Sequence, residues 1–336
     1  MLLNKKMILA IETSCDETAV AILENGKNLL ANVVSSQIDF HKEFGGVIPE
    51  LASRLHIEKI TLVIEKALKD AKVNYKDITL IAVTKGPGLI GALHVGIQAA
   101  KALSISYDIP IVGINHIAGH IYANSYVAEL KFPSLALVVS GGHTEIVYIK
   151  KKNVFKIVGE TLDDAVGEAY DKVSRVLGLG YPGGPIIDKL ASKGAYDYHL
   201  PYPKANGKYN FSYSGLKTAV INLVNSLNQK KEAFKKEDIA FSFQKVAISM
   251  LVDKTSKVLH DKKEIKQLIL GGGVSANSHL RSQITKKIKD EHPNVELIIP
   301  PLWCCTDNAA MIAMAAFWGK EKKEEISFGA NPNLNI

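Results

Sequence analysis

His116 and His120, in N-H-I-A-G-H-I, stand four residues apart. On a helix that spacing projects both imidazoles from one face, close enough to share a metal ion. A carboxylate from elsewhere would complete a two-histidine, one-carboxylate set with open coordination positions. Asp307, in C-C-T-D-N-A-A, is the acidic residue that suits it. Taken alone, the pair is also what two partly solvated helix histidines give. Asp307 fits the cap of the apolar helix expected over Ala309–Trp318 as well as it fits a metal.

A second chemistry-bearing pattern occurs twice. Residues 7–23, M-I-L-A-I-E-T-S-C-D-E-T-A-V-A-I-L, and 134–149, S-L-A-L-V-V-S-G-G-H-T-E-I-V-Y-I, each join two apolar strands through a small polar turn. Such turns present backbone N–H groups to anions, phosphates above all. His143, after the double glycine, reads as a hydrogen-bonded turn histidine, with a phosphate contact as the lesser alternative. Asp171 in G-E-A-Y-D-K-V and Asp188 in P-G-G-P-I-I-D-K-L fall on helices. There an exposed charge is the default, although Gly183 and Gly184 make a rigid bend free of side chains. Asn277 in G-G-G-V-S-A-N offers an amide to a hydroxyl, or simply caps a helix, as Ser275 could.

Two nucleotide signatures are excluded. G-P-G-L-I-G at 86–91 matches G-x-G-x-x-G, but the acidic residue that should end the next strand is missing, since Asp108 precedes strand 111–114. Its proline also removes one donor. Close packing of helix on strand is the expected role. No P-loop motif exists. Cys304 and Cys305 lack zinc-finger spacing.

The elements that must hold these residues follow from periodicity. A helix is expected over 49–71, with proline at its first position, then a strand at 78–84 and a helix at 92–106. A strand at 267–270 leads through three glycines to a helix starting near Asn277. Two α/β lobes facing across a cleft account for this order. The boundary near 131–133 gives a first lobe over 1–132, a second over 133–325 that includes Asp307, and a frayed tail over 326–336. Residues 196–214 read as a long loop or lid.

At 336 residues, 47% hydrophobic and 22% charged, the chain is a soluble, globular, two-domain length. No apolar run nears the roughly 18 residues that span a bilayer, and the start is too short for a secretion signal. Three cysteines, two of them adjacent, argue against a disulfide framework and for a reducing compartment. A net charge of +7 weakly favours a polyanionic partner. Lysine clusters at Lys150, Lys151 and Lys152, at Lys262 and Lys263, and at Lys320, Lys322 and Lys323 read as solvated faces.

Assembled in order, I-E-T-S-C-D-E-T, F-G-G-V-I-P-E-L-A-S-R, G-P-G-L-I-G-A-L, H-I-A-G-H, V-S-G-G-H-T-E, G-E-A-Y-D-K, Y-P-G-G-P, F-S-Y-S-G-L-K-T, G-G-G-V-S-A-N and C-T-D-N-A-A-M-I resemble the TsaD family. These are the tRNA N6-adenosine threonylcarbamoyltransferases, once described as glycoproteases, and the resemblance runs from about residue 8 to 316. It implies the two-lobed fold of actin, Hsp70 and sugar kinases (the ASKHA fold). It implies His116, His120 and Asp307 as holders of Fe2+, with Zn2+ also suited. Val138, Val139, Ser140, Gly141, Gly142, Asp171, Gly184, Asp188 and Asn277 would contact the substrate. The donor would be threonylcarbamoyl-AMP, and an ATP- or ADP-type nucleotide could occupy the same cleft. The acceptor would be tRNA, at the adenosine 3′ of the anticodon in tRNAs reading codons that begin with A. The resemblance names no general base; Glu12 and Asp16, in the first turn, are the candidates. Companions of the TsaB and TsaE type, or a homodimer, and a cytoplasmic setting away from membranes complete the implied picture. One departure is Ala118, where many members carry glutamate, so a carboxylate near the metal is lost.

Rival readings differ by test. A small-molecule kinase of the same fold would phosphorylate with ATP and need no histidine pair. A zincin protease needs H-E-x-x-H, and Ile117 holds the glutamate's place. A non-enzymatic actin-like or Hsp70-like binding module would bind nucleotide and modify no tRNA.

Overall fold

The structure, a computed structural model, describes residues 6–319 and 326–336. The lysine cluster at Lys320, Lys322 and Lys323 lies outside the described residues. The strands are β1 (Met7–Glu12), β2 (Glu17–Glu24), β3 (Asn28–Ser36), β4 (Leu80–Gly86), β5 (Ile111–Asn115), β6 (Ser134–Val139), β7 (Thr144–Lys151), β8 (Val154–Glu160), β9 (Gln267–Gly271) and β10 (Glu296–Ile298). The helices are α1 (Ile38–Lys42), α2 (Pro49–Ala71), α3 (Ile90–Tyr107), α4 (His116–Tyr122), α5 (Val166–Val176), α6 (Gly183–Ala191), α7 (Ser214–Gln229), α8 (Lys236–Asp261), α9 (Ser278–Glu291), α10 (Leu302–Cys305) and α11 (Ala309–Trp318). None of the described helices is long and apolar enough to cross a membrane.

The duplicated pattern builds duplicated sheets. One runs β3-β2-β1-β4-β5 and the other β8-β7-β6-β9-β10. In each, the first strand pairs antiparallel with the second and parallel with the fourth. The strand that opens each hairpin is therefore central and buried throughout.

The chain divides into two compact units, residues 1–129 with 306–336, and residues 130–305. The first break falls within four residues of the expected boundary. The second is a departure from the sequence reading: Asp307 and α11 belong to the first unit. The cause is composition, since eight successive residues from Ala309 to Ala316 are buried and apolar. A helix apolar on every side must be covered on every side, and α11 packs against β1, β2 and α4.

Alternation along β1 sorts that unit. Met7, Leu9 and Ile11 enter a core with Ile60, Val63, Ile64 and Ile97 of α2 and α3. Ile8, Ala10 and Glu12 must then point to the other face, where α11 lies. α4 closes onto α11 through Gly119, whose added Cβ would sit 3.0 Å from Ile312 Cδ1 and 3.2 Å from Met311 Cγ.

Two further expectations change. The tail at 326–336 is packed, not frayed. Phe328 and Ala330 lie against the first unit's core, and Asn331 N donates to Lys85 O at 2.8 Å. Gly88 N donates to Pro332 O, and Asn115 Nδ2 to Leu334 O. Apolar side chains inside a polar stretch found partners that its overall polarity concealed. The segment before α7 is a loop, but an anchored one. Phe211 and Tyr213 are fully buried. Asp163 accepts from the Ser212 and Ser214 hydroxyls and from the Tyr213 and Ser214 amides.

Candidate functional site

The first unit brings His116, His120 and Asp307 together. α4 begins at His116 because Asn115 caps it, its side chain accepting from Ala118 N at 3.1 Å. The two imidazoles then share one face, ring centroids 4.7 Å apart and planes at 86°. Asp307 precedes α11, and the cap of that helix is Asn308, which accepts from Met311 N. The choice left open by sequence, cap or ligand, is thus decided against the cap.

Asp307 Oδ1 lies 3.2 Å from His120 Nε2 and 3.5 Å from His116 Nε2. All three donor atoms fall within 4.8 Å of one another. Ligand atoms about 2.1 Å from a tetrahedral cation stand roughly 3.4 Å apart, so the spacing fits. His120 is 1% exposed, and neither of its ring nitrogens makes a hydrogen bond. A buried imidazole left without a hydrogen bond, its Nε2 facing only the Asp307 carboxylate, is costly unless a ligand completes it. On donor type, spacing and that orphaned ring, the residues suit a divalent metal.

Charge agrees. Burial alone would depress the His116 pKa, but the Asp307 and Glu12 carboxylates outweigh it and push it up to about 9. Burial likewise works against ionised Glu12, yet His116 holds its pKa below the ordinary carboxylate range. A field that retains a proton so firmly also favours a divalent cation, and a metal entering there would displace that proton.

Glu12 ends β1 and is completely buried. It accepts from Ser14 N, from Thr84 Oγ1 at 2.6 Å and from His116 Nδ1 at 3.1 Å. Asp16 is 7% exposed in the same turn, its carbonyl accepting from Gln37 N. Within this first turn the Ser14 amide is spent on Glu12. The G-P-G-L-I-G loop closes the turn from outside. Leu89 N donates to Ser14 O, and a Cβ on Gly88 would strike that same carbonyl. These glycines do permit close packing, though against the first turn, the tail and Ser53 of α2 rather than of helix on strand, and the Gly88 and Leu89 amides have carbonyl partners.

In the second unit the hairpin turn is glycine-tipped and exposed. Val138 and Val139 are buried in β6. Ser140 and His143 pin the turn, Ser140 N donating to His143 O and His143 N to Ser140 Oγ. Between them Gly141 and Gly142 are exposed, with nothing within 4 Å of an added Cβ. α5 docks beneath, Val166 N donating to Thr144 Oγ1 at 2.9 Å. A Cβ on Gly167 would strike Ser140 O.

The remaining expected contacts follow one after another. Asp171 on α5 accepts from Gly183 N at 2.7 Å, which ties α5 to the start of α6. Gly184 looks onto open space. Asp188 on α6 accepts from Ser278 N and Ser278 Oγ, both at 2.9 Å, which ties α6 to α9. Asn277 caps α9 through Leu280 N, and its Nδ2 donates to Gln244 Oε1 at 2.8 Å. Asp171, Asp188 and Asn277 thus hold helix ends in place.

Sequence reading missed Ser14, Thr84, Asn115 and Gln244 as members of these networks, and Tyr170, whose hydroxyl donates to Gln244 Oε1 at 3.1 Å. Asn115 had a signal, an asparagine directly before the histidine helix. Thr84 and Gln244 had none, since nothing in their local pattern sets them apart.

Comparison with known proteins now bears on the site. A family model described as TsaD, tRNA N6-adenosine threonylcarbamoyltransferase, matches residues 28–314. A protein of Bacillus subtilis (strain 168) with that same name is 57% identical over 334 residues, covering 98% of this chain and 95% of its own length. Among solved structures, the Acidaminococcus fermentans (R)-2-hydroxyglutaryl-CoA dehydratase component A aligns with a TM-score of 0.55 at 14% identity, over 93% of this chain and 98% of that one. A ROK family glucokinase from Streptomyces griseus aligns at 0.51 and 10% identity, over 92% and 98%. At such identities the two share a fold with this chain, the ASKHA fold, and nothing more is read from them.

Proposed function

The chain belongs to the TsaD family of tRNA N6-adenosine threonylcarbamoyltransferases, and from that membership we propose that it moves a threonylcarbamoyl group from threonylcarbamoyl-AMP to N6 of an adenosine in tRNA. The acceptor is the adenosine 3′ of the anticodon in tRNAs reading codons that begin with A. The near-full-length match to a curated relative of that name carries the reading.

The donor is a mixed anhydride, already activated, so no covalent enzyme intermediate is required. The acceptor nitrogen is the obstacle, because its lone pair is delocalised into the purine. Holding the two reactants in line is worth roughly 7–11 kcal/mol at best. The exposed amides of Gly141 and Gly142 suit the phosphate of the leaving AMP. Asp171, Asp188 and Asn277 stand as acceptors and donors for ribose or threonyl hydroxyls, with Val138, Val139, Ser140 and Gly184 shaping the surface. An ATP- or ADP-type nucleotide would occupy the same groups. His116, His120 and Asp307 would hold Fe2+, or Zn2+ which the same donors suit, and the bound cation would supply a Lewis acid. Of the two carboxylates expected as base, Glu12 has both oxygens taken, which leaves Asp16.

tRNA is the macromolecular partner. TsaB- and TsaE-type companions are expected because the relative is bacterial, with a homodimer as the alternative arrangement, and the cytoplasm is the compartment. The test is nucleoside mass spectrometry of tRNA incubated with purified protein and threonylcarbamoyl-AMP, with and without those companions. Wild type should yield threonylcarbamoyladenosine, and Asp307→Ala should lower the yield at least 100-fold. ATP-dependent phosphorylation of a small molecule, with no tRNA modified under any combination, would overturn the proposal in favour of a kinase.

A further inference from the structure

We infer that Glu12 is a positioning residue, acting through His116 to hold that ring's proton on Nδ1 and so keep Nε2 available as a ligand. The inference rests on the reading that His116, His120 and Asp307 bind a metal.

Three donors converge on the Glu12 carboxylate, which has no exposed surface. The Ser14 amide takes one oxygen, and the Thr84 hydroxyl and His116 Nδ1 share the other. An ionised carboxylate only accepts. Nδ1 can meet it only by carrying a proton, and in the neutral ring that leaves the lone pair on Nε2. Nε2 is the nitrogen that lies 3.5 Å from Asp307 Oδ1.

A competing arrangement is present in the same pocket. Ser14 Oγ also lies 3.1 Å from His116 Nδ1. Were that hydroxyl to donate to the ring, the proton would move to Nε2 and close the ligand position. Glu12 biases the choice, because a fixed anion at Nδ1 favours N–H over a lone pair there. His120 is different: neither of its nitrogens makes a hydrogen bond, and the carboxylate that approaches its Nε2, at 3.2 Å, belongs to Asp307, a fellow member of the ligand set. His116 is then the oriented ligand and His120 the one that adapts. The alternation of β1 delivers Glu12 to this spot, as its last residue on the face opposite the α2 and α3 core.

Glu12→Gln is the decisive variant, since it keeps the shape and changes the donor pattern. The Ser14 amide is fixed and can only donate, so the new carbonyl oxygen turns to it. The new NH2 then faces Thr84, whose hydroxyl can rotate to accept, and His116 Nδ1, which must also accept. The ring is driven to its Nε2–H form. Zinc affinity, measured by competition with a chromophoric chelator, should fall 10–100-fold, while nucleotide binding to the second unit stays unchanged. Equal zinc affinity in wild type and Glu12→Gln would overturn the inference alone. A wild type that takes up no divalent metal would overturn the metal reading, and this inference with it. Should Glu12→Gln fail to fold, long-range proton–nitrogen NMR on zinc-loaded wild type decides. A proton on His116 Nδ1 supports the inference, and a proton on Nε2 contradicts it.

Discussion

Glu145 follows the exposed glycines of the second hairpin by three residues, and its Oε2 is buried with no hydrogen-bond partner. Burial, and then Glu160 across the sheet, push its pKa from 4.5 up to about 7. The folded protein therefore favours the protonated acid. Its contribution to stability is complete below about pH 4.5 and is lost as pH rises to about 7. Glu145→Gln should leave the melting temperature unchanged near pH 4 and stabilise the protein by about 1–3 kcal/mol at pH 8. Thermal melts across that range check it, and parallel curves for the two proteins would contradict it. Legibility at this scale was uneven. His116, His120 and Asp307 could be named from type and spacing because metal chemistry demands few side chains. The roles of Glu12 and Thr84 could not, because a buried carboxylate in an apolar strand shows its purpose only through what it touches.

At the scale of elements, the two hairpins were readable as a repeat, yet their turns do different work. Both are small and polar in sequence. Only the second has glycines at its tip, where nothing lies within 4 Å of an added Cβ. The first folds its amide onto Glu12, a tertiary contact invisible to local pattern. α4 has only seven residues, too few to persist alone. It depends on its cap and on docking against α11. Asn115→Ala should cost about 1 kcal/mol of stability, read by denaturant unfolding, and should weaken zinc binding by loosening the first turn. Gly119→Ala tests the docking: Ile312 and Met311 must move by a few tenths of an ångström to admit the methyl. A loss of about 1–3 kcal/mol is expected. Unchanged stability would show that α4 and α11 need no close approach.

Over the whole molecule, alternating strands and glycine turns made two similar α/β units predictable, and the matched sheet orders agree. What sequence order concealed was the return of the chain. Residues 306–336 rejoin the first unit after the second is complete, so a boundary drawn along the sequence assigned Asp307 to the wrong one. That return supplies the carboxylate to the histidines and lays the tail over the G-P-G loop. A Cβ on Gly86 would collide with Asn331 O there, and the residue's φ of 153° already favours glycine. Gly86→Ala should displace the tail, seen as faster hydrogen exchange at the Asn331 amide.

The central claim is one cation held by His116, His120 and Asp307. Anomalous diffraction at the zinc edge from crystals of zinc-loaded protein tests it most directly. A single strong peak is expected about 2.0–2.2 Å from the Nε2 atoms of both histidines and from an Asp307 oxygen. A zinc peak elsewhere, with those three side chains unliganded, would contradict it.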